Sequence, residues 1–179
     1  MPSFDTKYAL ETLNILVLDD NRHMRHPIRE ILLALGIRKT NLVGNVPQAF
    51  KELRHFDADI IITDWHLEPL DGFEFVKLVR TAKDSRNPYV PIIMFPAYTE
   101  YQHVQNARDV GINELLAKPV SVKALYDRIV AIIDTPPKFV RSKHYFGPDR
   151  RRQDLGRPGN MPERRSVALE LNSAGASSL

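Results

Sequence analysis

Asp19 and Asp20 follow the apolar run LNILVL, Asp64 follows DIIIT, and Lys118-Pro119 follow NELLA. Each of these runs has the character of a strand, and helical patterns separate them. In a parallel α/β sheet, ligands bind in the crevice beyond the carboxyl ends of the strands. The pattern therefore brings three carboxylates and one ammonium to a single cleft. Like charges about 4–5 Å apart repel by roughly 3–4 kcal/mol at an effective dielectric near 20. Such a carboxylate cluster calls for a divalent cation, and the lysine calls for an anion beside it. Together they read as a site for Mg²⁺ and a phosphoryl group.

Five strand–helix units position these residues. Residues 13–19 form the first strand, and a helix follows over about 21–36. Its Ile28, Ile31, Leu32 and Leu35 recur at helical spacing, and Gly36 ends it. Thr40–Gly44 is a weaker strand. The next helix shows Val46, Ala49, Phe50 and Leu53 on one face, with Asn45 and Gln48 in the spacing of a capping box. Asp59–Thr63 is the third strand, and its helix over 72–83 buries Phe75, Leu78 and Val79. Val90–Phe95 is the fourth strand, with a helix opening at Thr99-x-x-Gln102. Asn113–Ala117 is the fifth, and Ser121 caps a last helix with Val122, Leu125, Ile129 and Ile132 in a stripe. Near-continuous apolar strands imply a parallel sheet covered on both faces. The expected fold is α/β and doubly wound: five parallel strands in the order 2-1-3-4-5, five helices and a C-terminal extended arm.

The chain has 179 residues, ordinary hydrophobic and charged content, and no cysteine, so neither a disulfide framework nor a thiolate metal site is available. Its first residues lack the basic and apolar regions of a signal peptide, and no apolar run is long enough to span a bilayer. These features predict a cytoplasmic protein without a membrane partner. Residues 1–135 carry 16 Lys/Arg against 18 Asp/Glu, a net of −2, and residues 136–179 carry 9 against 4, a net of +5. The basic character belongs to the tail. Thr135-Pro136-Pro137 stops the last helix. Residues 136–179 hold five of the 13 prolines and four of the eight glycines. The expected division is a domain over 12–134 and a basic Pro/Gly/Arg-rich tail over 135–179, partly disordered towards SAGASSL.

Taken together, LVLDDNRHMR, DIIITDWHLEPLDG, VPIIMFPAYT and GINELLAKPV resemble the receiver domain of two-component response regulators, the chemotaxis-type single-domain members above all. The resemblance covers about residues 12–134. It implies that Asp64 accepts a phosphoryl group from a sensor histidine kinase. Asp20 would ligate Mg²⁺ directly, Asp19 through water, and the backbone carbonyl of His66 would be a main-chain ligand. Lys118 would contact the phosphoryl oxygens, and Pro119 would be the family's cis-proline. Phosphoryl transfer depends mostly on positioning and charge neutralisation, which suits this set.

Three departures stand out. Pro96 occupies the position of the family's Ser or Thr, and proline has neither a hydroxyl nor a backbone N–H. Leu115 occupies the aromatic switch position. Glu68 stands where the family has proline, with Pro69 one residue later. Thr99 lies near the missing hydroxyl, but its simpler role is a helix cap. His66 and Tyr98 lie where they would hinder attacking water, which implies slow dephosphorylation. Trp65 would report on the metal by fluorescence. His23, His26, His55, His103 and His144 lack ligand spacing and read as structural or solvated.

The family implies a stand-alone response regulator, a phosphoprotein rather than a turnover enzyme, that signals through an unidentified downstream protein. Dimerisation would use the fourth helix, fifth strand and fifth helix. A second reading is a constitutive scaffold that does not switch. In the tail motif YFGPDRRRQ, a solvated basic arm is the simplest reading. Alternatively Phe139, Val140, Tyr145 and Phe146 dock on a partner or second subunit, or Arg150, Arg151, Arg152, Arg164 and Arg165 contact nucleic acid. The tail is too short and too poor in apolar residues for an independent winged-helix domain, which sets nucleic acid behind a protein partner.

Overall fold

Alternation of apolar side chains along the strands builds two cores, one on each face of a single sheet. In the computed structural model, residues 8–97, 110–136, 138–142 and 145–149 are described. The strands are β1 (Asn14–Leu18), β2 (Lys39–Val43), β3 (Ile60–Asp64), β4 (Ile92–Phe95) and β5 (Glu114–Leu115). They pair in parallel in the order β2-β1-β3-β4-β5, as expected. The described helices are α1 (Arg22–Ala34), α2 (Val46–Leu53), α3 (Gly72–Thr81) and α4 (Val122–Asp134), after a 3₁₀ turn at Leu10–Thr12. The helix expected from Thr99 lies outside the described residues.

Successive strand residues point to opposite faces. Leu16, Leu18, Ile61, Ile92, Met94 and Leu115 meet the α2 and α3 residues Val46, Ala49, Phe75, Val76 and Val79. Ile15, Val17, Ile60, Ile62, Ile93 and Phe95 meet Ile28 and Leu32 of α1 and Leu125, Ile129 and Ile132 of α4. The α3 stripe differs by one residue from expectation. Val76 is buried with Phe75 and Val79, whereas Leu78 is 36% exposed.

Caps set where each helix starts. Asn21, Asn45, Asp71 and Ser121 each accept a backbone N–H from the first turn of their helix. The box expected at Asn45 is only half formed. Asn45 accepts from the Gln48 N–H, but the Gln48 side chain accepts from Gly44, one residue before the cap. The complete capping box is Asp71 with Glu74, before α3. Gly36, with φ of +86°, follows the end of α1, and α4 stops at Asp134 ahead of the two prolines. Among the described residues no helix is long and apolar enough to cross a membrane.

Part of the expected extended arm is a hairpin. β6 (Phe139–Arg141) and β7 (Phe146–Pro148) pair antiparallel. Tyr89, Phe139 and Phe146 form an aromatic triad, with Tyr89 5.2 Å from each of the other rings. Beneath it lies Arg80, whose Cζ is 5.2 Å from the Phe139 ring centre. Phe139 and Phe146 of the arm thus pack on residues of their own domain. The reason is physical: a guanidinium and an exposed tyrosine offer those rings an apolar and cation–π platform within the chain. Arg150–Leu179 form a separate unit. The tail arginines, and the expected disorder of SAGASSL, fall outside the described residues.

Candidate functional site

Strand ends deliver the site. Asp19 follows β1 immediately, and its backbone N–H donates to the Val43 carbonyl at the end of β2, 3.2 Å away. Asp64 is the last residue of β3, paired beside Phe95. β5 is short, but ladder bonds continue past it: the Leu116 N–H donates to the Met94 carbonyl and the Lys118 N–H to the Pro96 carbonyl, at 3.0 and 2.9 Å. These bonds carry Lys118 to the crevice. The Lys118-Pro119 bond is cis, as expected, and Glu68-Pro69 is a second cis bond that was not.

One carboxylate oxygen from each of Asp19, Asp20 and Asp64 lies within 4.8 Å of the others, with Asp19 buried, Asp64 half-buried and Asp20 exposed. Lys118 Nζ sits 2.8 Å from Asp64 Oδ2 and 3.2 Å from Asp19 Oδ2. The ammonium thus serves as the internal counter-ion of two acids, while Asp20 faces the opening. The remaining oxygens of the inner acids are held too. Asp64 Oδ1 accepts from the Trp65 N–H at 2.8 Å, and Asp19 Oδ1 from the Asn21 N–H at 2.8 Å.

Burial pushes the Asp64 carboxyl above its ordinary value; the bond and charge of Lys118 pull it back, and Asp19 pushes it up again. Lys118 also lies above its ordinary value. Burial alone would lower it, but the bonds and charges of Asp64 and Asp19 outweigh that. The two rises have different origins. The ammonium is held charged by its acids, whereas Asp64 ionises at a cost that a further cation would reduce.

The donor set suits a hard divalent cation. Mg²⁺ takes oxygen ligands, is satisfied by one or two carboxylates and keeps several waters. Asp19, Asp20 and Asp64 are the residues able to hold it. His66 has an exposed side chain, and the role implied for it concerns its backbone carbonyl alone. Pro96 is buried and uses its carbonyl to hold Lys118. Leu115 is buried in the same core as Met94, so it is a packing residue where the family has a ring. Tyr98 and Thr99 fall outside the described residues.

Two contributors were not singled out from the sequence. The Arg25 guanidinium donates to the Asp19 carbonyl at 2.6 Å. Gly72 at the start of α3 donates its N–H to the Trp65 carbonyl at 2.8 Å, and a Cβ there would lie 2.3 Å from the Asp64 carbonyl oxygen. Its position at the end of DIIITDWHLEPLDG, just before a helix, was the available signal. Gly72→Ala is expected to cost about 1–3 kcal/mol through overpacking and to shift Trp65 emission. A wild-type melt and spectrum in that variant would show that the backbone tolerates the side chain.

A model of the response regulator receiver domain matches residues 15–130. The chain belongs to that family, whose members are signalling proteins rather than conventional enzymes. Among its relatives, chemotaxis protein CheY1 of Helicobacter pylori is 30% identical over 124 residues, covering 69% of this chain and 98% of that protein. CheY-3 of Vibrio cholerae is 25% identical over 124 residues, covering 69% and 94%. Among solved structures, CheY4 of Vibrio cholerae aligns with a TM-score of 0.59 at 25% identity, over 67% of this chain and 98% of that one. A response regulator structure from Chloroflexus aurantiacus aligns at 0.62 and 23% identity, over 69% and 98%, a likeness of fold alone. The chain is therefore a CheY-like receiver.

Proposed function

We propose that this chain is a response regulator that accepts a phosphoryl group on Asp64 from a histidine kinase, with Mg²⁺, and signals through protein–protein interaction. The observation that carries the reading is the Lys118 ammonium, 2.8 Å from Asp64 and 3.2 Å from Asp19, beside a third carboxylate open to solvent. In the transfer an Asp64 carboxylate oxygen forms a bond to phosphorus as the phosphohistidine P–N bond breaks, and the imidazole leaves. Lys118 holds Asp64 in place and faces the incoming negative charge. Asp19, Asp20, Asp64 and the His66 carbonyl would hold the cation, which when bound would neutralise charge on the phosphoryl oxygens.

The test is incubation with acetyl phosphate and Mg²⁺, read by intact mass. Here a P–O bond of the donor breaks and acetate leaves. The expected result is an adduct of one phosphoryl group on wild type, absent with EDTA. No adduct on wild type contradicts the reading.

A second reading, a scaffold that does not switch, draws on Pro96 and Leu115. Buried Pro96 offers no hydroxyl to a phosphoryl group, and Leu115 is packed in the core. Under the main reading, the phosphorylated state reaches its partner by a route other than hydroxyl–aromatic coupling. Partner docking or dimerisation through the face of the helix expected from Thr99, β5 and α4 remains the proposed output, in the cytoplasm.

A further inference from the structure

Asp19, directly after β1, is held at each of its polar atoms, and one of those restraints is a guanidinium. The Asp19 N–H is tied to Val43, its Oδ1 to the Asn21 N–H and its Oδ2 to Lys118. The remaining polar atom, the Asp19 carbonyl, accepts from Arg25 Nη1 at 2.6 Å. That carbonyl belongs to the peptide that joins Asp19 to Asp20, so the guanidinium fixes the plane from which the Asp20 side chain departs.

The room for this bond is made by Gly44, at the end of β2. A Cβ there would lie 2.8 Å from Arg25 Nη1 and 3.7 Å from Cζ. Arg25 is thus threaded between the Asp19–Asp20 peptide and the turn after β2. Its Nη1 bond goes to the Asp19 carbonyl, and it makes no ion pair with the described acids. The guanidinium is spent on a backbone carbonyl.

We infer that Arg25 is a positioning residue for cation binding: it holds the Asp19–Asp20 peptide so that both carboxylates meet one metal ion. The inference rests on the metal-site reading proposed above. It makes a prediction opposite in sign to a simple charge effect. Removing a positive charge near a cation site should tighten cation binding, whereas removing an outer support of the ligands weakens it, typically by about 10–100-fold.

The experiment is a titration of the full chain with Mg²⁺, read by Trp65 fluorescence, and with Mn²⁺, read by electron paramagnetic resonance. Wild type is compared with Arg25→Ala, Arg25→Lys and Gly44→Ala, each checked by thermal melt. The expected result is about tenfold weaker binding of both metals in Arg25→Ala, partial recovery in Arg25→Lys, and a similar loss in Gly44→Ala, which crowds the same guanidinium while leaving the charge in place. Unchanged or tighter binding in folded Arg25→Ala overturns the inference and leaves the metal site standing. Absence of binding by wild type in both assays overturns the metal site and the inference together. If one variant fails to fold, the other decides by the same criteria.

Discussion

Arg80→Met is expected to lower the stability of the domain by about 3–5 kcal/mol, because several buried carbonyls lose a charged donor at once. Arg80 is 3% exposed. All its N–H groups are directed to acceptors: Nε and Nη2 donate to the Gly111 carbonyl at 3.0 and 2.9 Å. Nη1 donates to the carbonyls of Pro88 and Val90, each at 2.8 Å, and Nη2 also to Asn113 Oδ1 at 3.1 Å. Burial pushes the guanidinium down to about 10, and the nearby Tyr145 pulls it back up; the group stays charged at neutral pH. Methionine fills similar volume but strands the carbonyls of Pro88, Val90 and Gly111, each at a cost of about 1–3 kcal/mol before relaxation, while Asn113 Oδ1 keeps the Ile92 N–H. Lysine should not rescue, because a point charge cannot replace the planar fork. Urea unfolding checks this, and a loss under about 1 kcal/mol would mean that water replaces the guanidinium. The same variant should loosen the Tyr89–Phe139–Phe146 cluster stacked over Arg80, so the hairpin of residues 139–148 should become open to proteolysis.

Lys118→Met is expected to lower metal-free stability at neutral pH by about 2–4 kcal/mol, somewhat below a fully buried pair because the site opens to solvent. The side chains of Asp19 and Asp64 are only 2% and 11% exposed, and Lys118 is their shared partner. The pH dependence follows from the directions of the shifts. Lys118 lies above its ordinary value, so its contribution is present at and below neutral pH and is lost as the pH rises through its raised value. Asp64 is also raised, first by burial. Its contribution is therefore greatest below the ordinary aspartate value and is lost as the pH rises through the raised one. Ionised Asp64 is a cost to the fold at neutral pH. Asp64→Asn should accordingly raise the metal-free melting temperature, while Lys118→Met lowers it and makes the melt more responsive to Mg²⁺. Thermal melts with and without Mg²⁺ test both. A Lys118→Met variant as stable as wild type without metal would show that the three carboxylates are already well solvated.

Much of this was legible in the chain because the signals are local or periodic. Apolar runs of strand length ending in Asp19 or Asp64, and helices with clear stripes, specify a parallel sheet and the end at which its chemistry gathers. The acids and Lys118 could be placed because position at a strand end is a sequence property. What escaped depends on contacts between distant segments. Arg80 lies four residues after Val76 and next to Val79, within the apolar arc of α3, and that intrusion was the only hint of its burial. Assigning Leu78 to the core had the same cause, since a short stripe does not settle which of two neighbours faces inward. The hairpin has three-residue strands without periodicity, and its docking depends on Tyr89, some 50 residues earlier. Arg25 could not be told from any surface arginine of α1. Its role appears only once Gly44 and the Asp19 carbonyl are seen to face each other.

The central claim is that Asp64 becomes an acyl phosphate, and borohydride trapping tests it most directly. Borohydride reduces an aspartyl phosphate to homoserine and leaves a free carboxylate unchanged, so peptide mapping after treatment with acetyl phosphate and Mg²⁺ locates the acceptor. The predicted result is homoserine at position 64 alone, dependent on Mg²⁺ and abolished in Asp64→Asn. Trapping at another carboxylate, or none at Asp64 under conditions where a control receiver is labelled, would contradict it.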